Sequence, residues 1–212
     1  MDVLLHIGQG KTGTSFMQAA FAFNAKQLAE QGVIYPFGKS QQKAAQKGAL
    51  AQPNVMTLDE IIAQTKRFKN RTDITRVLFS NENLYGVLSY DQTLLHQLKS
   101  LGVKVKVLVF TRCPMESLQS YYAQKVKAAG YAGTFKDYLR AIDYSMPLST
   151  ELDTLISACD RLDIDVNLYN YSHRKNDLLQ LSEQFMGVPE GTLAKPERLA
   201  DYNRSLAPDE VL

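Results

Sequence analysis

The chain has few cysteines: Cys113 and Cys159 are the only two in 212 residues. That is too few for a disulfide framework or a zinc site. A strong charge of either sign is also missing. Lys and Arg number 24, Asp and Glu 22, and the net charge is +2. A balance this even does not suit a nucleic-acid-binding protein, though it leaves room for a local basic pocket. No apolar run approaches the length that crosses a membrane. Met1-Asp2-Val3 enters the first apolar run directly, which leaves no room for a signal peptide and makes the cytoplasm the expected location. No internal repeat and no second core are visible, so 1–212 is expected to form a single domain.

What is present is an alternation of short apolar runs with helix-period segments, the signature of an α/β fold with a parallel sheet. Strands are expected at about Val3–Ile7, Val33–Pro36, Arg76–Ser80, Val103–Phe110 and Ile164–Tyr169. Val103–Phe110 is the most strand-like and is expected at the centre of the sheet. A helix from Gly13 to Gln31 follows the first strand and stops at Gly32. Thr57 with Glu60 forms a capping box before Leu58, Ile61 and Ile62. Asp91 caps a helix that carries Leu94, Leu95, Leu98 and Leu101 on one face and ends at Gly102. Pro114 suits the first position of the next helix, with Met115, Leu118, Tyr122, Val126 and Ala129 as its buried stripe and Ser120 on the opposite face. Two further helices are expected at Thr150–Leu162 and Lys175–Met186. Residues 37–56, with Lys39, Lys43 and Lys47, read as a surface insertion suited to a lid. Ser205 to Glu210 has the cap, proline and acids of a new helix start, so a longer protein is expected.

The first loop carries the chemistry: His6-Ile7-Gly8-Gln9-Gly10-Lys11-Thr12-Gly13-Thr14-Ser15. It runs from a strand into a helix. Glycines allow a tight turn and close approach of a ligand. The first N–H groups of the helix have no intrahelical partner, and the dipole adds positive potential there. Lys11 adds a full charge, and Thr12, Thr14 and Ser15 add hydroxyls. The residue types make an oxyanion site.

The Walker A phosphate loop needs a glycine five residues before Gly10, and that position is Leu5. The acid that would hold Mg²⁺ is missing too. Neither Arg76–Phe79 nor Val103–Thr111 ends in Asp. A magnesium-dependent kinase or NTPase is therefore disfavoured. A monoanionic sulfuryl group needs less neutralisation, which one lysine and backbone dipoles can supply.

Two other segments stand at strand ends. Arg112 emerges where parallel sheets bind ligands and can grip a phosphate bidentately. Ser120, two turns into the next helix, can add a hydroxyl bond. Glu82 in Ser80-Asn81-Glu82-Asn83 either takes a proton from an attacking hydroxyl or sits as an acid in the first turn of a short helix. His6 reads as a packed residue, His96 and His173 as structural or solvated, and Cys113 as a small packed residue. Tyr121, Tyr122, Tyr131 and Tyr138 suit stacking on a sugar or adenine, or core packing.

His6-Ile7-Gly8-x-x-Lys11-Thr12-Gly13-Thr14-Ser15-x-x-Gln18 resembles the 5′-phosphosulfate loop of sulfotransferases that use 3′-phosphoadenosine 5′-phosphosulfate (PAPS). Arg112-x-Pro114 with Ser120 and Tyr121 is similar to that family's 3′-phosphate segment. Ser80-x-Glu82-Asn83 is similar to the segment where carbohydrate-type members carry a catalytic glutamate. Leu168-Tyr169-Asn170-Tyr171 and Phe185-Met186-Gly187 resemble the late strand and helix of bacterial members. The resemblance spans about Val3 to Gly187.

It implies a P-loop-like three-layer domain with a mostly parallel five-stranded sheet flanked by helices. It implies sulfuryl transfer from PAPS to an acceptor hydroxyl on a small molecule or carbohydrate, in line and without a metal. Lys11 would contact the sulfuryl group and the bridging oxygen. Gly10 shapes the loop, while Thr12, Gly13, Thr14 and Ser15 would cradle the 5′-phosphate. Arg112 and Ser120 would hold the 3′-phosphate, and Glu82 would be the base. The family's later basic loop has only Asn203-Arg204-Ser205 as a weak counterpart. A non-catalytic nucleotide-binding domain of the same fold is the other alternative.

Overall fold

The computed structural model describes residues 1–37, 56–141 and 150–195. Residues 38–55 of the expected insertion, the tail from 196 onward and part of the segment between Gly130 and Pro147 lie outside these residues.

Five strands form one sheet: β1 (Asp2–His6), β2 (Val33–Ile34), β3 (Arg76–Ser80), β4 (Lys104–Thr111) and β5 (Asp165–Asn170). The order is β2-β3-β1-β4-β5, and every pairing is parallel. The sheet is thus wholly parallel, flanked by helices on both faces.

Strand β1, not the longer β4, holds the centre. Its Val3, Leu4 and Leu5 are completely buried, as a strand covered on both faces requires. Side chains alternate between faces. Val3, Leu5, Ile7, Val105, Val107 and Val109 point into one core, with Ile61, Leu84, Leu88, Leu94, Leu95, Leu98 and Leu155. Leu4, Leu78, Leu108 and Phe110 point into the other, with Met17, Phe21, Leu28, Leu181 and Phe185.

The helices among the described residues are α1 (Thr14–Phe23), α2 (Ala25–Glu30), α3 (Leu58–Phe68), α4 (Asn83–Tyr90), α5 (Thr93–Ser100), α6 (Pro114–Ala129), α7 (Phe135–Ala141), α8 (Thr150–Arg161), α9 (Tyr171–Arg174) and α10 (Leu178–Met186). Several local signals act as expected. Thr57 and Glu60 form both bonds of the capping box on α3. Pro114 opens α6. Gly102 and Gly187 follow helix ends with left-handed φ of 69° and 65°.

Four expectations are corrected. The single helix expected over Gly13–Gln31 is two, broken at Asn24. The Asn24 carboxamide donates to the Ala20 carbonyl (2.8 Å) and to the Ala194 carbonyl (2.9 Å), and accepts from the Ala194 N–H (3.1 Å). Asparagine competes with the helix ladder through such bonds. Asp91 does accept from the Thr93 N–H at 2.8 Å, but it lies one residue outside the cap position, which is Gln92. The last helix begins at Leu178, because Tyr171–Arg174 and Lys175 form a separate turn. Finally, α6 does not bury the expected stripe. Only Ser117 and Tyr122 are buried, and Met115 is 52% exposed. The side of α6 that carries Ser120 and Tyr121 faces an open cleft instead of the sheet.

The strand order positions that cleft. The chain runs outward from β1 to β2, returns to β3, then crosses to β4 on the other side of β1. Such a reversal opens a crevice at the carboxyl ends of the strands. The loop after β1, Asn81-Glu82 after β3 and Arg112 after β4 all meet there. No helix among the described residues is long and apolar enough to cross a membrane.

Candidate functional site

The cleft has a volume of about 1760 Å³, above the range usual for one drug-sized ligand. Its floor is the loop after β1. Gly13 takes a φ of 76° and occupies the cap position of α1 without any side-chain cap. The first N–H groups of α1 therefore face the cleft with no side-chain acceptor at the cap. Gly10 is needed for a different reason: a Cβ there would fall 2.3 Å from the Tyr121 hydroxyl. Lys11 also adopts a left-handed φ, 69°, a conformation that costs a non-glycine residue about 1–2 kcal/mol.

Two bonds hold the loop in that shape. The Thr12 hydroxyl donates to the Gln9 carbonyl at 2.5 Å. Arg112 Nη1 donates to the Lys11 carbonyl at 3.2 Å. Thr12 is fully buried and shapes the loop from within, whereas Gly10, Lys11, Gly13, Thr14 and Ser15 line the cleft. The Thr14 Oγ1 is buried and has no hydrogen-bond partner among the described residues. Buried polar groups are ordinarily satisfied, and His6 Nε2, at the start of the same loop, is unpartnered as well.

Lys11 is half-buried. Burial holds its ammonium below the usual lysine value, Glu82 opposes that shift, and Arg112 and Lys127 reinforce it. Lys127 lines the cleft from α6, so cations approach Lys11 from two sides.

Arg112 has four neighbours. Its Nε donates to Glu116 Oε2 at 3.3 Å, an i,i+4 ion pair. Its Nη1 reaches the Lys11 carbonyl. Its backbone N–H donates to Gln9 Oε1 at 3.1 Å, and its guanidinium lies 5.5 Å from the centre of the Tyr171 ring. Glu116 also accepts from the Ser172 hydroxyl, and these two bonds, Ser172 first, hold its carboxyl below the usual carboxylate range. Ser120 is part-buried and lines the same cleft.

Glu82 sits at the cap position of α4 and lines the cleft. Its segment is braced. The Gln18 side chain donates to the Ser80 carbonyl at 2.9 Å, and the Asn81 N–H donates to the His6 carbonyl at 3.0 Å. Asn81 Oδ1 accepts from the Asn83 N–H at 3.0 Å.

The remaining candidates divide. His6 is fully buried, its Nδ1 2.7 Å from the Ser80 hydroxyl, with Phe21 and Phe110 edge-on to it. Burial lowers its pKa to about 3. His96 and His173 are exposed and do not line the cleft. Cys113 is exposed, not packed, while Cys159 is buried and its thiol is pushed up to about 11. Tyr122 packs among Tyr131, Phe135 and Tyr138. Tyr121 and Tyr131 line the cleft, and burial followed by Glu82 raises the Tyr121 phenol.

Sequence reasoning passed over Gln9, Glu116 and Tyr171. The i,i+4 spacing of Arg112 and Glu116 was a usable signal. Nothing local pointed to Gln9 or Tyr171, because their partners come from distant strands.

No family model and no curated protein matches the chain. Among solved structures it is similar to mouse sulfotransferase SULT7A1 complexed with PAP, with a TM-score of 0.45 and 13% identity. The match covers 89% of this chain and 59% of that one, so the chain spans about three-fifths of that structure's length.

Proposed function

We propose that the protein transfers a sulfuryl group from PAPS to an acceptor hydroxyl, on a small molecule or a carbohydrate. The observation that carries this is the convergence of two anion-binding segments and one carboxylate in a single cleft. Lys11 and Arg112, 101 positions apart in the chain, are joined by the 3.2 Å bond from Arg112 to the Lys11 carbonyl. A nucleotide with phosphates on both its 3′ and 5′ positions needs two such segments.

The residues fit the donor. The uncapped start of α1, Lys11, Ser15 and the unpartnered Thr14 hydroxyl suit the 5′-phosphosulfate. Arg112 and Ser120 suit the 3′-phosphate. Bound there, PAPS supplies the sulfuryl group, and adenosine 3′,5′-bisphosphate (PAP) is the leaving group.

Glu82 acts as the base, taking the acceptor proton as the hydroxyl oxygen bonds to sulfur. Lys11 stabilises the negative charge that grows on the bridging phosphate oxygen as its bond to sulfur breaks. Its half-burial strengthens that interaction, because fewer waters screen it. The bonds that fix the loop and the Glu82 segment hold these groups in place before substrate arrives, which is the larger part of catalysis by positioning.

Calorimetry with PAP tests the reading. Binding is expected, together with transfer of labelled sulfate from PAPS to a hydroxyl in an acceptor panel. No binding of PAP, or binding that Arg112→Ala leaves unchanged, sinks it.

A further inference from the structure

Gln9 does not line the cleft and is 7% exposed, yet it touches every part of the site. Its Oε1 accepts from the Arg112 backbone N–H at 3.1 Å, and its Nε2 donates to the Tyr85 hydroxyl at 3.1 Å. Its own N–H donates to the Phe110 carbonyl at 3.0 Å, and its carbonyl accepts from Thr12. One side chain therefore links the β1 loop, the exit of β4 and the helix whose cap is Glu82.

We infer that Gln9 is a positioning residue that sets the distance between the Lys11 loop and the Arg112 segment, so that the protein selects a ligand with two separated anionic groups over a ligand with one. A carboxamide is a short rigid group with its acceptor and its donors on different atoms. Buried, its bonds are directional and strong. Without it, the part-buried N–H of Arg112 loses this partner, and the segment that aims the guanidinium is free to re-aim. A ligand with one anionic group follows whichever segment holds it. A ligand that spans both segments depends on their separation.

The inference rests on the PAPS reading, and the test separates the two. PAP carries two phosphates and adenosine 5′-monophosphate (AMP) one, on the same nucleoside. Both are titrated calorimetrically against the wild type, Gln9→Met and Gln9→Glu, with thermal melting alongside. Met matches the side chain in length and forms neither bond. Gln9→Met is expected to raise the Kd for PAP about tenfold and that for AMP less than about threefold. Gln9→Glu keeps an acceptor for Arg112, and the Tyr85 hydroxyl can donate to it in turn. Its charge is expected to weaken PAP, with two phosphates, more than AMP, with one. The PAP-to-AMP ratio is therefore read from Gln9→Met, and Gln9→Glu shows by melting that the site folds with an acceptor kept for Arg112.

An equal loss of PAP and AMP in Gln9→Met, or no loss of PAP, overturns the role of Gln9. A wild type that binds PAP no more tightly than AMP overturns the donor reading itself.

Discussion

The floor and the wall of the cleft are built to different standards. On the floor, the residues from His6 to Gln18 are tied together and to their neighbours. Thr12 is bonded to Gln9, Gln9 to Tyr85 and Arg112, Gln18 to Ser80, and His6 to Ser80. On the wall, α6 buries only Ser117 and Tyr122 along its whole length. Beyond Glu116, which is bonded to Arg112 and Ser172, its contacts are mainly aromatic: Tyr122 against Tyr131, Phe135 and Tyr138, with Lys125 over two of those rings. Such rings pack without fixed hydrogen-bond directions, apart from the Tyr122 hydroxyl on the Gly133 carbonyl. On the proposed reading, the difference suits a rigid floor beneath the 5′-phosphosulfate and a less rigidly tied wall beside it.

The comparison can be broken first at Lys11. Lys11→Ala is expected to lower kcat/KM for sulfuryl transfer by about 100-fold or more, as removal of one charge-stabilising group does, with melting unchanged. Labelled PAPS and a thermal melt check both halves. A loss of folding stability instead would make Lys11 a structural part of the floor.

The floor is also expected to respond to acid through His6. Its folded pKa is about 3 against 6.5 for the free side chain, so the unfolded chain takes up the proton first. This contribution to stability is fully present above pH 6.5 and is lost as pH falls from there toward 3. Between pH 7 and pH 5 the loss is expected to be about 2 kcal/mol. Urea unfolding at the two pH values measures it, and His6→Gln should remove this share of the dependence.

A smaller effect is expected one turn beyond Glu82. Gly86 lies inside α4 and lines the cleft, and a Cβ there would meet nothing within 4 Å. Neither packing nor backbone angle calls for glycine. Gly86→Ala is therefore expected to stabilise the fold by about 0.5–1 kcal/mol, read from the melting temperature. An alanine that stabilises the fold yet slows transfer would mark α4 as part of the acceptor path.

The smallest effect is expected at the junction of floor and wall. Glu116 neutralises Arg112 from an exposed position. Glu116→Gln is expected to tighten PAP binding by about threefold and to leave the melting temperature nearly unchanged. Calorimetry and melting measure the two. Weaker binding would mean that Glu116 aims Arg112 more than it competes for it.

Much of the fold was legible before the structure. The five strands lie within a residue or two of the expected runs. β1, β3 and β4 carry buried apolar runs because both their faces are covered, whereas β5, at the edge, alternates exposed and part-buried residues. The capping box at Thr57, the proline at the head of α6 and the glycines after α5 and α10 act through neighbours in sequence, so they too were readable. What was missed depends on distant partners. The break at Asn24 needs Ala194, and the exposure of α6 needs a cleft that no local pattern announces. The candidate site divides the same way. Lys11, Thr14 and Glu82 announce themselves by residue type beside a strand end. Gln9 is one glutamine among others until Tyr85 and Arg112 are brought to it.

The residue order alone determined an α/β architecture, a loop of glycines, one lysine and hydroxyls at the first strand-to-helix turn, and a mismatch to the Walker pattern at Leu5. These follow from periodicity, glycine spacing and charge, all properties of neighbours along the chain. Only the tertiary structure decided that β1 lies between β3 and β4. That order brings Lys11, Glu82 and Arg112 to one crevice and places Gln9 between the β1 loop and the exit of β4. The physical reason is that sheet order and buried hydrogen bonds join residues tens of positions apart, where sequence periodicity carries no information.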